Sequence, residues 1–250
     1  MKNNKVFLVI QGHTSYVDQL IENVKNVENV IWSTETDIPD SHLDKIRNSN
    51  IKLVITEKPT FNGYGNVNIQ VQSTMQGLYE AKKLGATHAI KLRSDLIFSD
   101  PSKFINEYPF DSRIHQLSYI EHTSLCIPLT NHYPNLPNWV NENYPNFVKN
   151  VSDYNYIADF TNLGPIDEMI NFWSLPFEES ENRNPAEFKF LLRYLKMKNY
   201  DNVELTYEYL SNIFGFFMTF CKETDNPLTS LKRGWNTNQL LNNVDVKWVG

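Results

Sequence analysis

Val6 to Ile10 is an unbroken apolar run closed by Gln11-Gly12, and apolar-rich segments recur at Val30 to Thr34 and Ile51 to Thr56. Short runs of this kind, bounded by polar residues and Gly, are the pattern of strands buried on both faces of a sheet. Between them the spacing changes. Val17, Leu20, Ile21 and Val24 fall on one face of a helix that Thr14 or Ser15 would cap. Asp40 or Ser41 opens a shorter helix that runs through Arg47. Strand, helix, strand, helix, strand in this order predicts a parallel sheet with helices on its faces.

Lys58-Pro59 opens a loop through Gly63-Tyr64-Gly65, and a long helix follows from Asn66 to Leu84, with Gly85 at its C′ position. Val67, Val71, Met75, Leu78 and Ala81 form its apolar stripe. Beside it runs a polar and small stripe, Asn66, Gln70, Ser73 and Gly77, at i, i+4, i+7 and i+11. It borders the core stripe, so it belongs where the helix meets the rim of the sheet. Asn66 also reads as a plain N-cap.

Thr87 to Phe98 reads as one strand that leaves the core at a charged end. Ile90, Leu92 and Leu96 face one way, and Lys91, Arg93 and Asp95 the other. Two cations and a carboxylate on one face are costly unless they meet water, each other or a polyanion. Two readings fit. One is a half-solvated edge strand with a surface ion pair. The other is a diphosphate or metal-diphosphate site at the carboxyl end of a strand, where open α/β sheets bind ligands.

The second half is less regular. A helical turn is expected around Phe104, a strand at Ile114 to Ile120, and a Pro-, Asn- and aromatic-rich excursion over residues 121–153. Tyr156 to Phe160 reads as a strand with Asp159 near its end. Gly164-Pro165 turns into a helix from Ile166 to Trp173. Asn184-Pro185-Ala186-Glu187 opens another helix through Met197, with Glu187 at N3 of a near capping box. A strand at Val203 to Tyr207 and a helix near Tyr209 to Met218 precede the tail. With no internal repeat and no linker, residues 1–250 read as a single domain. Within it, residues 1–100, 101–200 and 201–250 read as three successive parts.

Composition narrows the function. In 250 residues, 41% are hydrophobic, with 13 Tyr, 15 Phe and 5 Trp, which is ample for a sizeable core. The net charge of -6, with scattered basic residues, argues against nucleic acid as a partner. Cys126 and Cys221 lie far apart, and the six His show no metal-ligand spacing, so no disulfide framework or zinc site is expected. The run before Gln11 is too short for a signal peptide, and Ile213 to Cys221 too short for a membrane span. The expectation is a cytoplasmic protein, with room for peripheral contact at the inner face of the membrane.

Gln11-Gly12, Ser33-Thr34, Pro59, the block Asn66-x-x-x-Gln70-x-x-Ser73-Thr74-x-x-Gly77-Leu78, and Lys91-Leu92-Arg93-Ser94-Asp95-Leu96 occur in this order. Together they resemble the WavE family of lipopolysaccharide-synthesis proteins, which look like glycosyltransferases of the GT-A fold. The resemblance covers roughly residues 5 to 200 and is most specific from Asn66 to Leu96. It implies a GT-A-like, Rossmann-like, mostly parallel sheet, a nucleotide-sugar donor bound across the amino-terminal half, and a glycan or glycolipid acceptor in surface-polysaccharide synthesis. GT-A enzymes normally hold Mg²⁺ or Mn²⁺ on the donor diphosphate with a DxD motif. Here the motif reads Arg93-Ser94-Asp95, so a cation replaces the first carboxylate. Either Asp95 alone helps hold the metal together with diphosphate oxygens, or Lys91 and Arg93 supply the charge in its place.

Gln11, Ser33, Thr34, Asn66, Gln70, Lys91, Arg93 and Asp95 are therefore expected to converge on the donor, with Asp95 as the metal ligand. If the reaction inverts, a base must take the acceptor proton. Asp167 and Glu168 have a helix-dipole role and Glu187 a capping role. Asp159 has no such local explanation, so the catalytic expectation falls on Asp159 first and Glu187 second. A non-catalytic sugar-binding module with the same fold is the alternative. A nucleotidyltransferase is another, although no GxxxxGK[ST] loop is present.

Overall fold

The computed structural model describes residues 5–63, 66–107, 112, 114–117, 161–175, 197, 218–220 and 228–230. Strands β1 (Val6–Gln11), β2 (Val30–Glu35), β3 (Ile51–Thr56) and β4 (His88–Arg93) are parallel and lie side by side as β3-β2-β1-β4. Helices α1 (Val17–Val24), α2 (Asp40–Arg47) and α3 (Val67–Lys83) make the crossovers. The chain steps outward from β1 to β3, then returns through α3 to the other flank of β1. The topological switch point therefore falls between β1 and β4, the place in an open sheet where a crevice forms at the carboxyl edge.

Strand β5 (Leu96–Phe98) leaves this sheet, and α4 (Pro101–Glu107) follows it. The sheet continues past β4 with β7 (Thr161–Pro165), β6 (Ile114–Leu117) and β8 (Met218–Phe220), so its full order is β3-β2-β1-β4-β7-β6-β8. β7 is antiparallel to both β4 and β6, and β8 is parallel to β6. β5 pairs instead with β9 (Leu228–Ser230). This is the expected α/β class, a mostly parallel central sheet flanked by helices.

Strand parity divides the core. Leu8, Ile10, Trp32, Ile90, Leu92 and Leu163 pack with Val17, Leu20, Val24 and Ile46 on the side of α1 and α2. The opposite face lies under α3 and α5 (Ile166–Trp173). There Gly77 brings α3 against the sheet: a Cβ at this position would lie 2.5 Å from Val9 Cγ1 and 3.1 Å from Ser33 Cβ. The apolar stripe of α3 is buried as its spacing predicts. The helix ends in paired bonds from Gly85 N to Lys82 O and Ala86 N to Ala81 O, with Gly85 at φ 86, the arrangement of a Schellman stop.

Several local expectations change. Thr87 to Phe98 is not one strand, because Ser94 and Asp95 form a turn between β4 and β5. Nor is β4 an edge: it is hydrogen-bonded on both sides, and Lys91 is fully buried, which removes the half-solvated reading. The first residue before α1 is Tyr16, without a side-chain cap bond, while the Thr14 hydroxyl meets His42 Nδ1 at 2.8 Å. Further along, Gly164-Pro165 belongs to β7, and Met218 opens a strand where a helix end was expected. The strand expected at residues 156–160 and the one at 203–207 lie outside the described residues, as does the helix from 184 apart from Met197.

Candidate functional site at the carboxyl edge of the sheet

Gln11, the last residue of β1, is the Cα partner of Ser33 on β2 and of Arg93 on β4. Its parity is that of Val9, so all three share the α3 side of the sheet. Gln11 and Ser33 are buried, and the Ser33 hydroxyl makes no hydrogen bond. Three polar side chains thus form a row across three adjacent parallel strands, spanning about 10 Å. Thr34 is not in it. It shares the side of Trp32, and its carbonyl accepts a bond from the Thr56 hydroxyl at 3.1 Å.

Arg93 is held by Asp95 in a two-pronged pair, Nε to Oδ1 at 3.0 Å and Nη2 to Oδ2 at 2.6 Å. Both side chains are largely shielded, at 28% and 17% exposure, so this geometry is firmer than a surface ion pair. The turn carrying Asp95 is locked to the end of β1. Ser94 N donates to Gln11 O at 2.9 Å, Gly12 N to Ser33 O at 3.2 Å and Trp32 Nε1 to Gly12 O at 3.0 Å. Gly12 has φ 120, and a Cβ there would strike Ser94 Oγ at 2.7 Å. Only glycine fits both the backbone and the space.

Because α3 crosses from β3 to the parallel β4, it starts at the carboxyl edge. Gln70 lies two turns before Gly77, about 10 Å further toward that edge. Asn66 stands at the start of the helix in the left-handed region, φ 62 and ψ 31, and makes no side-chain cap bond. The capping reading thus fails, and the residue is tolerated because Asn enters this region more easily than other non-glycine residues. Asn66→Ala is expected to cost about 1 kcal/mol of stability, and Asn66→Gly to restore it. If the carboxamide touches a ligand, Asn66→Gly still binds more weakly than wild type. Thermal melts paired with ligand titrations separate the two effects.

Lys91 lies one step deeper than Arg93 on the same side. Its ammonium sits 4.6 Å from the Trp173 ring centroid, a contact worth roughly 2 kcal/mol when desolvated. Its Cα partner is Asn162, fully buried and with neither amide atom hydrogen-bonded. Lys91 therefore lies beneath the row, not on it.

Glu35, which the sequence reading passed over, ends β2 on the side of Ser33. Its side chain is 6% exposed, and its partner is the largely exposed His13, Nε2 to Oε1 at 3.7 Å. The signal was present: Glu35 keeps the parity of Ile31 and Ser33 directly after a buried run. The acidic candidates fall elsewhere. Asp167 and Glu168 begin α5 beside Pro165, the partner of His88, so they sit at the amino edge, where Asp167 pairs with Lys82 at 2.7 Å. Asp159 and Glu187 lie outside the described residues. An open cavity at the amino edge, lined by residues such as Lys5, Asn29, Thr87 and Asn106, is remote from the row.

Among the described residues there is no group of three His, Cys, Asp or Glu placed to hold a metal, and both Asp95 oxygens are engaged by Arg93. These residues do not form a metal cage on their own. No helix among them is long and apolar enough to cross a membrane.

No family model matches the chain, and no curated protein matches it. Solved structures are similar at low identity. A galactosyltransferase, LgtC, in complex with donor and acceptor sugar analogues, shares 11% identity over 87% of this chain and 73% of its own, with a TM-score of 0.43. HddC from Yersinia pseudotuberculosis, complexed with GMP-PN, shares 12% over 71% of this chain and 82% of its own, with a TM-score of 0.37. The bifunctional glycosyltransferase WbbM shares 8% with a TM-score of 0.37, the match covering 68% of this chain and 34% of WbbM, about a third of that protein's length.

Proposed function

We propose that the chain is a nucleotide-sugar-dependent glycosyltransferase with a GT-A-like fold, whose donor lies across the carboxyl edge of β2, β1 and β4. The observation that carries this reading is Arg93, fixed by Asp95 at the switch point of the sheet and in register with Gln11 and Ser33. A guanidinium charge fixed at this place suits a diphosphate, and the start of α3 adds a favourable dipole. The resemblance to WavE proteins adds surface-polysaccharide or lipopolysaccharide synthesis as the setting and a glycan or glycolipid as the acceptor.

In the reaction, an acceptor hydroxyl oxygen bonds to the anomeric carbon while the bond from that carbon to the diphosphate oxygen breaks. The electron pair leaves on the diphosphate, where Arg93 stabilises the developing charge. Asp95 positions Arg93. Asp95 also remains the residue proposed to meet Mg²⁺ or Mn²⁺, and no step above depends on the ion. Lys91 contributes positive charge from beneath. For an inverting reaction, Asp159 is proposed as the base and Glu187 as the second choice. Asp159→Asn is then expected to lower kcat by about 10²-fold or more. A near-wild-type rate, or retention of anomeric configuration in the product, removes it from that role.

A thermal-shift screen of UDP-, GDP-, CMP- and dTDP-sugars, with and without Mn²⁺, tests the donor reading. One nucleotide class is expected to raise Tm, and product formation separates an enzyme from a binding module. No shift with any of them would contradict the proposal.

A further inference from the structure

Two residues beyond Ser33 on β2, on the same side of the sheet, a negative group stands beside the row. Glu35 ends β2 and Arg93 ends β4, with Gln11 of β1 between them. The Glu35 carboxylate is nine-tenths buried, and the His13 imidazole, 3.7 Å away, is beyond hydrogen-bond range. The carboxylate oxygens keep contact with the surface, and His13 is the one charged partner they have among the described residues, so they can accept hydrogen bonds from donors that a ligand brings. Phosphate oxygens cannot provide them and would be repelled. Neutral hydroxyls can.

We propose that Glu35 recognises the nucleoside part of the donor, its carboxylate accepting hydrogen bonds from the vicinal hydroxyls of a ribose. This assignment rests on the donor-site reading above. It fixes the donor's direction: the ribose lies over β2 and the diphosphate over β4, against Arg93. Two carboxylate oxygens match two adjacent hydroxyls, and an acidic residue a little over twenty positions after the first strand-end glycine serves ribose hydroxyls in other doubly wound sheets. Glu35 stands two strand spacings from Arg93 and two residues further along its strand, so the poles lie about 12 Å apart, which keeps the carboxylate clear of the phosphates.

The test is calorimetric titration of the full chain with UDP, GDP, CDP and ADP, their 2′-deoxy counterparts, and inorganic pyrophosphate. Wild type is expected to bind at least one ribonucleoside diphosphate about tenfold or more tightly than its 2′-deoxy form. Glu35→Gln should bring that ratio close to one, with pyrophosphate binding unchanged or tightened. Glu35→Asp, which keeps the charge if the amide destabilises the fold, should fall between them. A ratio that survives in Glu35→Gln overturns the assignment, as does a change of base preference with the ribose ratio intact. If no nucleoside diphosphate binds wild type, the donor-site reading falls and this assignment with it. If they bind without regard to the 2′-hydroxyl, only this assignment falls.

Discussion

Replacing Arg93 by alanine is expected to lower kcat/KM with the cognate nucleotide-sugar by about 10²–10³-fold, the loss typical of removing one preorganised donor from a developing oxyanion. The size follows from how the guanidinium is held. Its fork is set by Asp95 and shielded from water, so little reorganisation is needed when charge builds on the leaving diphosphate. Arg93→Lys should recover only part of the loss, since an ammonium keeps the charge but not the two parallel bonds. The fold should survive both changes, because β4 is paired on both flanks and its apolar side is untouched. Steady-state kinetics beside a thermal melt decide the matter. Equal kinetics in the alanine variant would return Arg93 to a purely structural role.

Gly77→Ala is expected to be the most destabilising of the single-methyl changes in α3. Alanine normally improves a helix interior by about 0.5–1 kcal/mol over glycine. Here the new carbon would meet Val9 Cγ1 at 2.5 Å and Ser33 Cβ at 3.1 Å. Both lie on strands fixed by their neighbours, so the overpacking cost of about 1–3 kcal/mol should outweigh the helix gain. A net loss of about 1 kcal/mol corresponds to roughly 2–4 °C in Tm for a chain of this size. Val9→Ala in the same chain removes the closer clash. The double variant should therefore be more stable than the two losses added together, a coupling that a double-mutant cycle reads directly. The helix, displaced from Ser33, should also bind nucleotide less well.

Much of this architecture was legible because local signals agreed. The first three strands, the crossover helices and the end of α3 at Gly85 follow from runs of apolar residues, their spacing and one left-handed glycine. The order of those elements was enough to direct the proposed site to the carboxyl ends of the strands. Other features depended on tertiary contacts that a single sequence does not display. Lys91 looked solvent-facing because it is charged, yet Trp173, eighty-two positions later in the chain, covers it. The break after Arg93 arises because Ser94 N bonds to Gln11 O, a partner from the first strand. Glu35 was overlooked because a carboxylate after Thr34 reads as the end of a strand, whereas β3 carries the pairing one residue further, to Thr56. Asn66 sits at the helix start as its spacing implied, but its backbone is left-handed, which a capping rule does not anticipate.

Hydrogen–deuterium exchange with and without the best-binding nucleoside diphosphate tests the placement of the donor most directly. Protection is expected in peptides that contain Gln11 to Thr14, Ser33 to Glu35, Asn66 to Gln70, and Arg93 to Asp95, and it should vanish in Arg93→Ala at the same ligand concentration. Protection confined to the amino edge around Lys5, Asn29 and Thr87, with these four segments unchanged, would contradict a donor site at the carboxyl edge of the sheet.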